Sequence, residues 1–395
     1  MDIDTNRAEI EAWLILLRAP GIGASGLRSL IERHGGAMKA LQAARRCETP
    51  IADATCRDWL HAPDTARIAA DLEWLAAKDH QLLSFDNPDF PALLRDSAGT
   101  PAALFVAGDA TALWRAQVAI VGSRSASHAG LDHARSFARA LVAAGFAITS
   151  GLAEGIDGAA HAAALDAGGM TIAVLGTGPD VVYPAKHQEL AARIATNGAL
   201  VSEFPPGTPG RPENFPRRNR IIAGLALGTL VVEAGLRSGS LITARNASEQ
   251  GRDVFAIPGS IHNPLARGCH RLIRQGAALV ESAEEIVEGL APLAQRLGAH
   301  LRDRLDSGSP ATDSGLPACV EKAKSAPDPA CARVLAALGH EALGIDRLAE
   351  RTGLGIAALS SMLLVLELEG SVAVERGGAY IRRNPEPPSG AAQTS

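Results

Sequence analysis

Short apolar runs alternate with stretches of helical spacing between residues 118 and 280. At the start of this region two apolar runs are each followed by a tight glycine turn and a helical stretch, which predicts a βαβα unit of a parallel sheet. Seven strands are predicted, at 118–121, 146–149, 171–175, 200–203, 229–232, 254–257 and 278–280, with a further candidate at 104–107. The runs lack strict alternation with polar residues, as in strands covered on both faces. The pattern therefore predicts a doubly wound α/β domain.

The same pattern divides the rest of the chain. Residues 1–84 have helical spacing and contain Arg18-Ala-Pro-Gly-Ile-Gly, which resembles the turn of a helix-hairpin-helix. A plain helical turn punctuated by proline and glycine is the alternative. The predicted divisions are a helical domain at 1–84, the α/β domain at 85–292, a linker with a partly helical start at 293–329, a winged helix at 330–385 and a disordered tail at 386–395.

The winged helix is predicted from three helical stretches followed by a β-hairpin. Residues 357–366 would form its recognition helix. Because this stretch is poor in Lys, Arg and Asn, readout of bases is weakly supported, and contact with a protein is an equal alternative.

Composition narrows the class of protein. The net charge of −5 excludes a uniformly basic nucleic-acid coat but leaves room for a local basic patch. Five cysteines without a C-x-x-C pair predict neither a disulfide framework nor a zinc site. The N-terminus has no signal-peptide pattern, and the longest apolar run, 221–232, is too short to span a bilayer. These features predict a cytoplasmic protein without membrane contact.

Several glycine turns follow predicted strands, where open α/β sheets place their ligands. Gly122-Ser123-Arg124 follows the first strand, Ser150-Gly151 the second, and a third turn leads to Tyr183-Pro-Ala-Lys186. Free backbone N–H groups at helix starts favour phosphate, and Arg124 and Lys186 add cations. The chain has no Gly-Lys-Ser/Thr loop, so hydrolysis of nucleoside triphosphates has little support.

Asp157 and His161 stand four residues apart on a predicted helix. They suit either an acid/base or metal pair, or a helix cap with a satisfied polar pair. The structural interpretation is favoured because no third metal ligand has suitable spacing. No metal and no cofactor are predicted.

The segment 211–220 carries the strongest signal for a polyanion. It contains four arginines, Arg211, Arg217, Arg218 and Arg220, together with the aromatic Phe215 and the amide side chain of Asn219. Arginines neutralise a phosphate backbone, and an aromatic face stacks on bases. An ion-pair network at a helix start is the alternative. Further along, Ser238-Gly239-Ser240 supplies another polar helix start.

Eight segments, taken together and in this order, resemble the DprA/Smf family of DNA-processing proteins. They are VAIVGSR, TSGLAEGID, VYPAK, SEFPPG, FPRRNRIIAG, VVEAGLRSGSLITA, FAIPG and GCHRLIRQGA. The resemblance implies a Rossmann-like fold that binds single-stranded DNA, forms a homodimer through the α/β domain and loads the recombinase RecA onto DNA in natural transformation. It implies a binding protein, with no catalytic residue and no cofactor.

The resemblance also implies the DNA-binding positions. Together with the glycine turns, the predicted site comprises Gly122, Ser123, Arg124, Gly151, Lys186, Phe215, Arg217, Arg218, Asn219, Arg220, Ser238, Gly239 and Ser240.

Two other functions stay open at this point. One is a nucleotide hydrolase similar to the cytokinin-activating phosphoribohydrolases, with Glu233 as catalytic residue and Arg237 beside it. The Pro-Gly-Gly-x-Gly-Thr loop of those enzymes is missing here. The other is a winged-helix transcription regulator, which the acidic end of the helix at 366–369 disfavours.

Overall fold

The computed structural model describes residues 3–46, 53–97 and 99–307, and in the C-terminal part residues 334, 337–338, 343–352, 359, 363, 372–375 and 379–382. The chain divides into two compact units, Met1–Ser309 and Pro310–Ser395. No helix among the described residues is long and apolar enough to cross a membrane.

The N-terminal region is helical, as predicted. Its helices are α1 (Ile3–Arg18), α2 (Ala24–His34), α3 (Ala37–Arg45), α4 (Ala54–His61) and α5 (Thr65–Leu75). The carboxylates of Asp53 and Asp64 accept backbone hydrogen bonds at the starts of α4 and α5, which satisfies N–H groups that a helix leaves unpaired. Between α1 and α2 the chain turns at Gly21, whose φ of 77° suits glycine.

A nine-stranded sheet forms the centre of the first unit. Its strands are β1 (His80–Ser84), β2 (Ala103–Gly108), β3 (Gln117–Val121), β4 (Ala147–Ser150), β5 (Thr171–Leu175), β6 (Gly198–Ser202), β7 (Gly228–Val231), β8 (Asp253–Ala256) and β9 (Ala278–Leu279). All seven predicted strands are present, and so is the candidate at 104–107. The unpredicted strand β1 belongs to the sheet, although the predicted boundary at residue 84 assigns it to the helical domain.

Strand β1 escaped prediction because its sequence, HQLLS, begins with polar residues and buries only Leu83. It pairs antiparallel with β2, which pairs antiparallel with β6. All pairs formed among strands β3 to β9 themselves are parallel.

The strand order is β1-β2-β6-β5-β4-β3-β7-β8-β9. The chain runs outward from β3 to β6, then returns to place β7 against the other side of β3, with Val121 opposite Val231. Helices that follow β3 and β7 therefore lie on opposite faces. The space beyond the ends of these two strands is the switch point at which open α/β sheets bind ligands.

Helices cover both faces of the sheet. They are α6 (Ala92–Arg95), α7 (His128–Ala143), α8 (Ile156–Asp166), α9 (Gln188–Asn197), α10 (Asn214–Leu225), α11 (Ser240–Glu249), α12 (Arg267–Arg274) and α13 (Ala283–Ser307). Ala119 and Val121 of β3 join one buried cluster with α10, while Val118 and Ile120 join another with α7. The alternation of side chains along a strand thus fills two cores, one on each face.

Helix α13 continues to Ser307, so residues 293–307 of the predicted linker are helical. This is longer than the partly helical start that was expected. The remainder of the predicted linker and the predicted tail at 386–395 lie outside the described residues.

The C-terminal unit has the predicted hairpin, formed by β11 (Val372–Glu375) and β12 (Ala379–Arg382). A short strand that was not predicted, β10 (Leu343–Gly344), pairs with β12 and leads into helix α14 (Ile345–Thr352). Of the predicted recognition helix at 357–366, only Leu359 and Leu363 lie within the described residues, and both are fully buried.

Candidate nucleic-acid interface

A cleft of about 630 Å³ opens at the switch point, beyond the ends of β3 and β7. Three segments line most of it: the turn after β3, the first half of α10 and the turn before α11. They contribute nine of the thirteen predicted site residues, namely Gly122, Ser123, Arg124, Phe215, Arg218, Asn219, Ser238, Gly239 and Ser240. The fold therefore brings together segments that are more than a hundred residues apart in the sequence.

Arg124 and Phe215 form the exposed part of this cleft. Arg124 is exposed, and its guanidinium carbon lies 5.5 Å from the centre of the Phe215 ring, within reach of a cation–π interaction. In the described part of the chain, no carboxylate forms an ion pair with Arg124. Its charge is therefore available to an anionic ligand.

Phe215 is half-buried and is flanked by a second aromatic residue. The ring centres of Phe215 and Tyr183 lie 5.3 Å apart at a tilt of 47°, and Tyr183 is 51% exposed. Phe215 also packs against the backbone of Gly176, where an added Cβ would come within 2.8 Å of the ring. The cleft thus presents a supported aromatic surface to a ligand.

Arg218 lines the same cleft but has a different environment. Its side chain is buried, and one guanidinium nitrogen donates to the carbonyl oxygens of both Gly151 and Val174. Burial lowers the pKa of Arg218 to about 10, against the raising effect of Asp157. The guanidinium therefore stays charged near neutral pH and joins the ends of β4 and β5.

Gly151 was predicted as a DNA-binding residue, and the structure gives it another role. A Cβ at this position would lie 2.4 Å from the guanidinium carbon of Arg218. Only a glycine lets Arg218 approach the backbone so closely. Gly151 is buried and does not line the cleft.

The structural interpretation of Asp157 and His161 is supported, but the two side chains have separate partners. The Asp157 carboxylate accepts from the N–H groups of Gly151 at 3.1 Å and Ala153 at 3.4 Å, while burial raises the pKa of this group. His161 Nδ1 lies 2.6 Å from Thr171 Oγ1. Burial lowers the pKa of His161 to about 3, helped by His187 and Arg218. Among the described residues, no group of three metal-binding side chains occurs.

Asn219 connects α10 to the turn before α11. Its amide nitrogen donates to the Gly239 carbonyl oxygen at 3.2 Å, and its amide oxygen accepts from Arg218 Nε at 3.0 Å. In the same turn, the hydroxyl oxygens of Ser238 and Ser240 lie 2.7 Å apart. Asn219 thereby positions a hydroxyl-bearing turn at the start of a helix, which favours an anion.

The other arginines of the 211–220 segment do not line the cleft. Arg220 forms an ion pair with the buried carboxylate of Glu203, and Arg217 lies 3.9 Å from the same carboxylate. Arg217 also lies 5.3 Å from the Phe204 ring. The alternative of an ion-pair network therefore describes Arg217 and Arg220 better than a shared phosphate site does.

Lys186 lies in a neighbouring groove, where it forms an ion pair with Glu154 at 2.9 Å. It is exposed and therefore remains accessible to a second anion.

Glu233, the catalytic candidate of the hydrolase alternative, is engaged in the fold. Its carboxylate accepts from the Ser127 N–H at 2.9 Å and from the Ser127 hydroxyl at 2.6 Å, at the start of α7. It is buried and is not among the residues that line the cleft. A carboxylate held in this way is poorly placed to act on a ligand in the cleft.

Sequence reasoning missed Tyr183 and Arg237 as cleft residues. Tyr183 belongs to the Val-Tyr-Pro-Ala-Lys segment, in which only the lysine was selected. Arg237 is exposed and precedes Ser238, in a segment where only the Ser-Gly-Ser turn was selected. Proximity to other selected residues was the signal available for both.

Comparison with known proteins agrees with this geometry. The family model described as DNA recombination-mediator protein A matches residues 81–291. Protein Smf of Escherichia coli K12 is 46% identical over 317 residues, which cover 80% of each chain. The chain belongs to the DprA/Smf family. A putative DNA processing protein DprA of Mycobacterium tuberculosis H37Rv is 34% identical over 91% of each chain.

The flanking regions also match the DprA/Smf family. Residues 7–46 match a DprA-like N-terminal HHH domain, and residues 321–378 match the DprA winged helix domain. The X-ray structure of DNA processing protein A from Streptococcus pneumoniae aligns with a TM-score of 0.64 at 36% identity, over 70% of this chain and 97% of that one. The predicted fold class, a Rossmann-like domain between a helical domain and a winged helix, is confirmed.

Proposed function

We propose that this DprA/Smf protein binds single-stranded DNA in the cleft at the ends of β3 and β7, and delivers it to the recombinase RecA without catalysing a reaction. The observation that carries the proposal is the exposed Arg124 guanidinium beside the Phe215 ring. A cation next to an aromatic face suits a ligand that offers a phosphate and a base within one nucleotide spacing.

The cleft supplies donors beyond Arg124. The turn at Gly122 and Ser123, and the helix start at Ser238–Ser240, face the same space. Backbone N–H groups and hydroxyls at such positions bind phosphates without recognising sequence. The buried Arg218 side chain adds positive charge next to the cleft, but it donates its hydrogen bonds to carbonyl oxygens of the protein. We therefore propose Arg124 and Phe215 as direct contacts and Arg218, Asn219 and Gly151 as positioning residues.

A binding role is favoured over hydrolysis because the carboxylates of Glu233 and Asp157 are engaged in hydrogen bonds within the fold. Glu233 is bound at the start of α7, and Asp157 accepts two backbone hydrogen bonds. A general acid or base must reach the proton that it transfers. Glu233 does not line the cleft, and Asp157 lines it with a buried carboxylate that already accepts from the Gly151 and Ala153 N–H groups.

We extend the proposal to assembly and location. A homodimer through the α/β domain is supported by exposed apolar side chains near its β9 edge, where Leu236, Ile242 and Leu279 are each at least 40% exposed. Loading of RecA, which we place in the cytoplasm, is supported by the description of the matching family as a recombination mediator. We propose the division into domains at 1–84, 85–292 and 330–385, except that β1 (His80–Ser84) belongs to the sheet of the α/β domain.

Fluorescence anisotropy with single-stranded and double-stranded oligonucleotides tests this function. Arg124→Ala should weaken binding of single strands by about 1.5–3 kcal/mol, because a charged group loses its hydrogen bonds to phosphate. Arg139→Ala is the matched control, since Arg139 is exposed on α7 and lines neither the cleft nor the groove beside it. Urea unfolding should show both variants within about 0.5 kcal/mol of the parent protein.

Equal affinity of Arg124→Ala and the parent protein for single strands would contradict the proposed site. Release of free base from nucleoside monophosphates, abolished by Glu233→Gln, would support the hydrolase alternative instead.

A further inference from the structure

A second groove, of about 580 Å³, lies beside the cleft and is bounded by α7, α8 and α9. Arg124 and Ser125 line both spaces, so the groove and the cleft adjoin at these two residues. The loop between β4 and α8 packs closely against the turn after β3. An added Cβ at Gly155, which has a φ of 76°, would lie 2.3 Å from the Ser123 carbonyl oxygen.

The groove is rich in cations although the chain as a whole is acidic. Its charged lining consists of Arg124, Arg135, Lys186 and Arg193 against Glu154 and Glu189. These cations come from separate elements, since Arg135 belongs to α7, Lys186 to the segment before α9, and Arg193 to α9. A linear anion that passes between the helices would meet them on both sides.

Three of the cations have acidic partners, but these pairs are exposed. Arg135 pairs with Asp132 at 2.8 Å, Lys186 with Glu154 at 2.9 Å, and Arg193 with Asp166 at 2.7 Å. All six side chains are between 43% and 72% exposed. Exposed pairs of this kind contribute little stability, so a phosphate can replace a carboxylate or share the cation with it at small cost. A guanidinium also has donors to spare beyond a single partner.

The groove differs from the cleft in having no Phe, Tyr or Trp among its described lining residues. His187 is present, but its Nδ1 lies 2.9 Å from the Leu152 carbonyl oxygen and its ring packs against Gly158. The lining therefore suits a phosphate backbone and offers little for base stacking.

We propose that this groove holds the phosphate backbone of the same DNA strand beyond the cleft, with Arg135 and Arg193 as contacts and Arg124 at the junction. The inference rests on the proposed function, because the strand must first enter the cleft. The groove would bind further phosphates by charge alone. The affinity should therefore depend on the length of the strand.

The test compares the full chain with its Arg135→Glu/Arg193→Glu variant on oligothymidylates of about 6 and about 15 nucleotides. The variant should lose about tenfold or more in affinity for the long strand, and much less for the short one. In the parent protein, the slope of log affinity against log salt should be steeper for the long strand by about 1.4, which corresponds to two further phosphates. The variant should lose this difference.

The control is Arg57→Glu/Arg139→Glu, which makes the same change in net charge at exposed positions outside both spaces. It should bind both strands nearly as the parent does. Equal weakening of both strands by Arg135→Glu/Arg193→Glu, or no weakening of the long strand, would overturn the inference while leaving the cleft in place. If the parent protein binds neither strand, the proposed function fails, and the groove proposal fails with it.

Discussion

Arg124 and Arg218 approach the same aromatic ring from different environments. Their guanidinium carbons lie 5.5 Å and 5.9 Å from the centre of Phe215. Arg124 is exposed, whereas Arg218 is only 4% exposed and donates to two main-chain carbonyl oxygens. Arginine therefore serves two purposes in this cleft. Arg124 offers its charge to a ligand, whereas Arg218 joins the ends of β4 and β5.

Solvation explains why these purposes cannot be exchanged. A buried guanidinium must be compensated inside the protein, and Asp157 together with the carbonyl oxygens of Gly151 and Val174 does so for Arg218. Water solvates Arg124, so this residue needs no internal partner and can exchange water for phosphate. A count of arginines in the sequence does not distinguish these two situations.

The largest expected effect comes from removing the buried member. Arg218→Met should lower the free energy of unfolding by about 3–5 kcal/mol, because Asp157 would remain buried without its compensating charge. Urea denaturation of this variant beside Arg124→Met measures the difference, and the latter should stay within about 0.5 kcal/mol of the parent. The comparison breaks if Arg218→Met retains full stability and loses only DNA affinity, since Arg218 would then be a ligand contact.

A smaller effect is expected from the ring between the two arginines. Phe215→Leu should reduce affinity for single strands by about 1–3 kcal/mol through lost stacking. Its stability should fall by less than about 1.5 kcal/mol, because leucine keeps much of the volume that packs on Gly176.

Anisotropy with Arg124→Ala, Phe215→Leu and the double variant shows whether the two side chains act on one nucleotide. Losses that simply add would indicate independent contacts. Unchanged affinity in Phe215→Leu would place this ring in the core of the cleft wall and leave Tyr183 as the exposed aromatic surface.

A third expected effect is spread over several pH units and concerns His161, whose pKa is lowered in part by the charge of Arg218. The pKa of His161 is lowered to about 3 in the folded protein, mainly by burial, from its usual value of 6.5. Below pH 6.5 the unfolded chain binds a proton that the folded chain does not. Stability from this residue is therefore complete above pH 6.5 and is lost as the pH falls toward 3, by about 1.4 kcal/mol per unit.

Urea unfolding of the parent and of His161→Gln between pH 7 and pH 4 isolates this contribution as the difference between the two pH profiles. Parallel profiles would mean that His161 titrates equally in both states. That outcome would contradict its burial against Thr171.

Much of this architecture could be predicted from the sequence because apolar runs report burial directly. The strands from β3 to β9 were found in this way, and their glycine turns indicated the ligand edge. Strand β1 was missed because a half-exposed edge strand has no such run. Its antiparallel pairing with β2 depends on neighbours that are distant in sequence.

The sequence indicated which segments lie near the cleft, but it did not indicate the environment of each residue within them. Nine predicted residues line one cleft, but the burial of Arg218 and the pairing of Arg220 with Glu203 depend on three-dimensional proximity. The backbone is equally unpredictable at Leu152, a buried non-glycine residue with a φ of 58°. Such a conformation is rare for leucine, so no local sequence rule anticipates it.

The helical N-terminal region shares its hydrophobic core with the sheet. Leu14 and Leu27 belong to the same buried cluster as Ala103 and Phe105 of β2. Arg18 adds a polar link, since its guanidinium binds Asp71 and also donates to the Pro206 carbonyl oxygen at 2.8 Å. These helices and the sheet belong to one compact unit. Deleting the helices would expose Phe105 to water and create an apolar surface that is prone to aggregation.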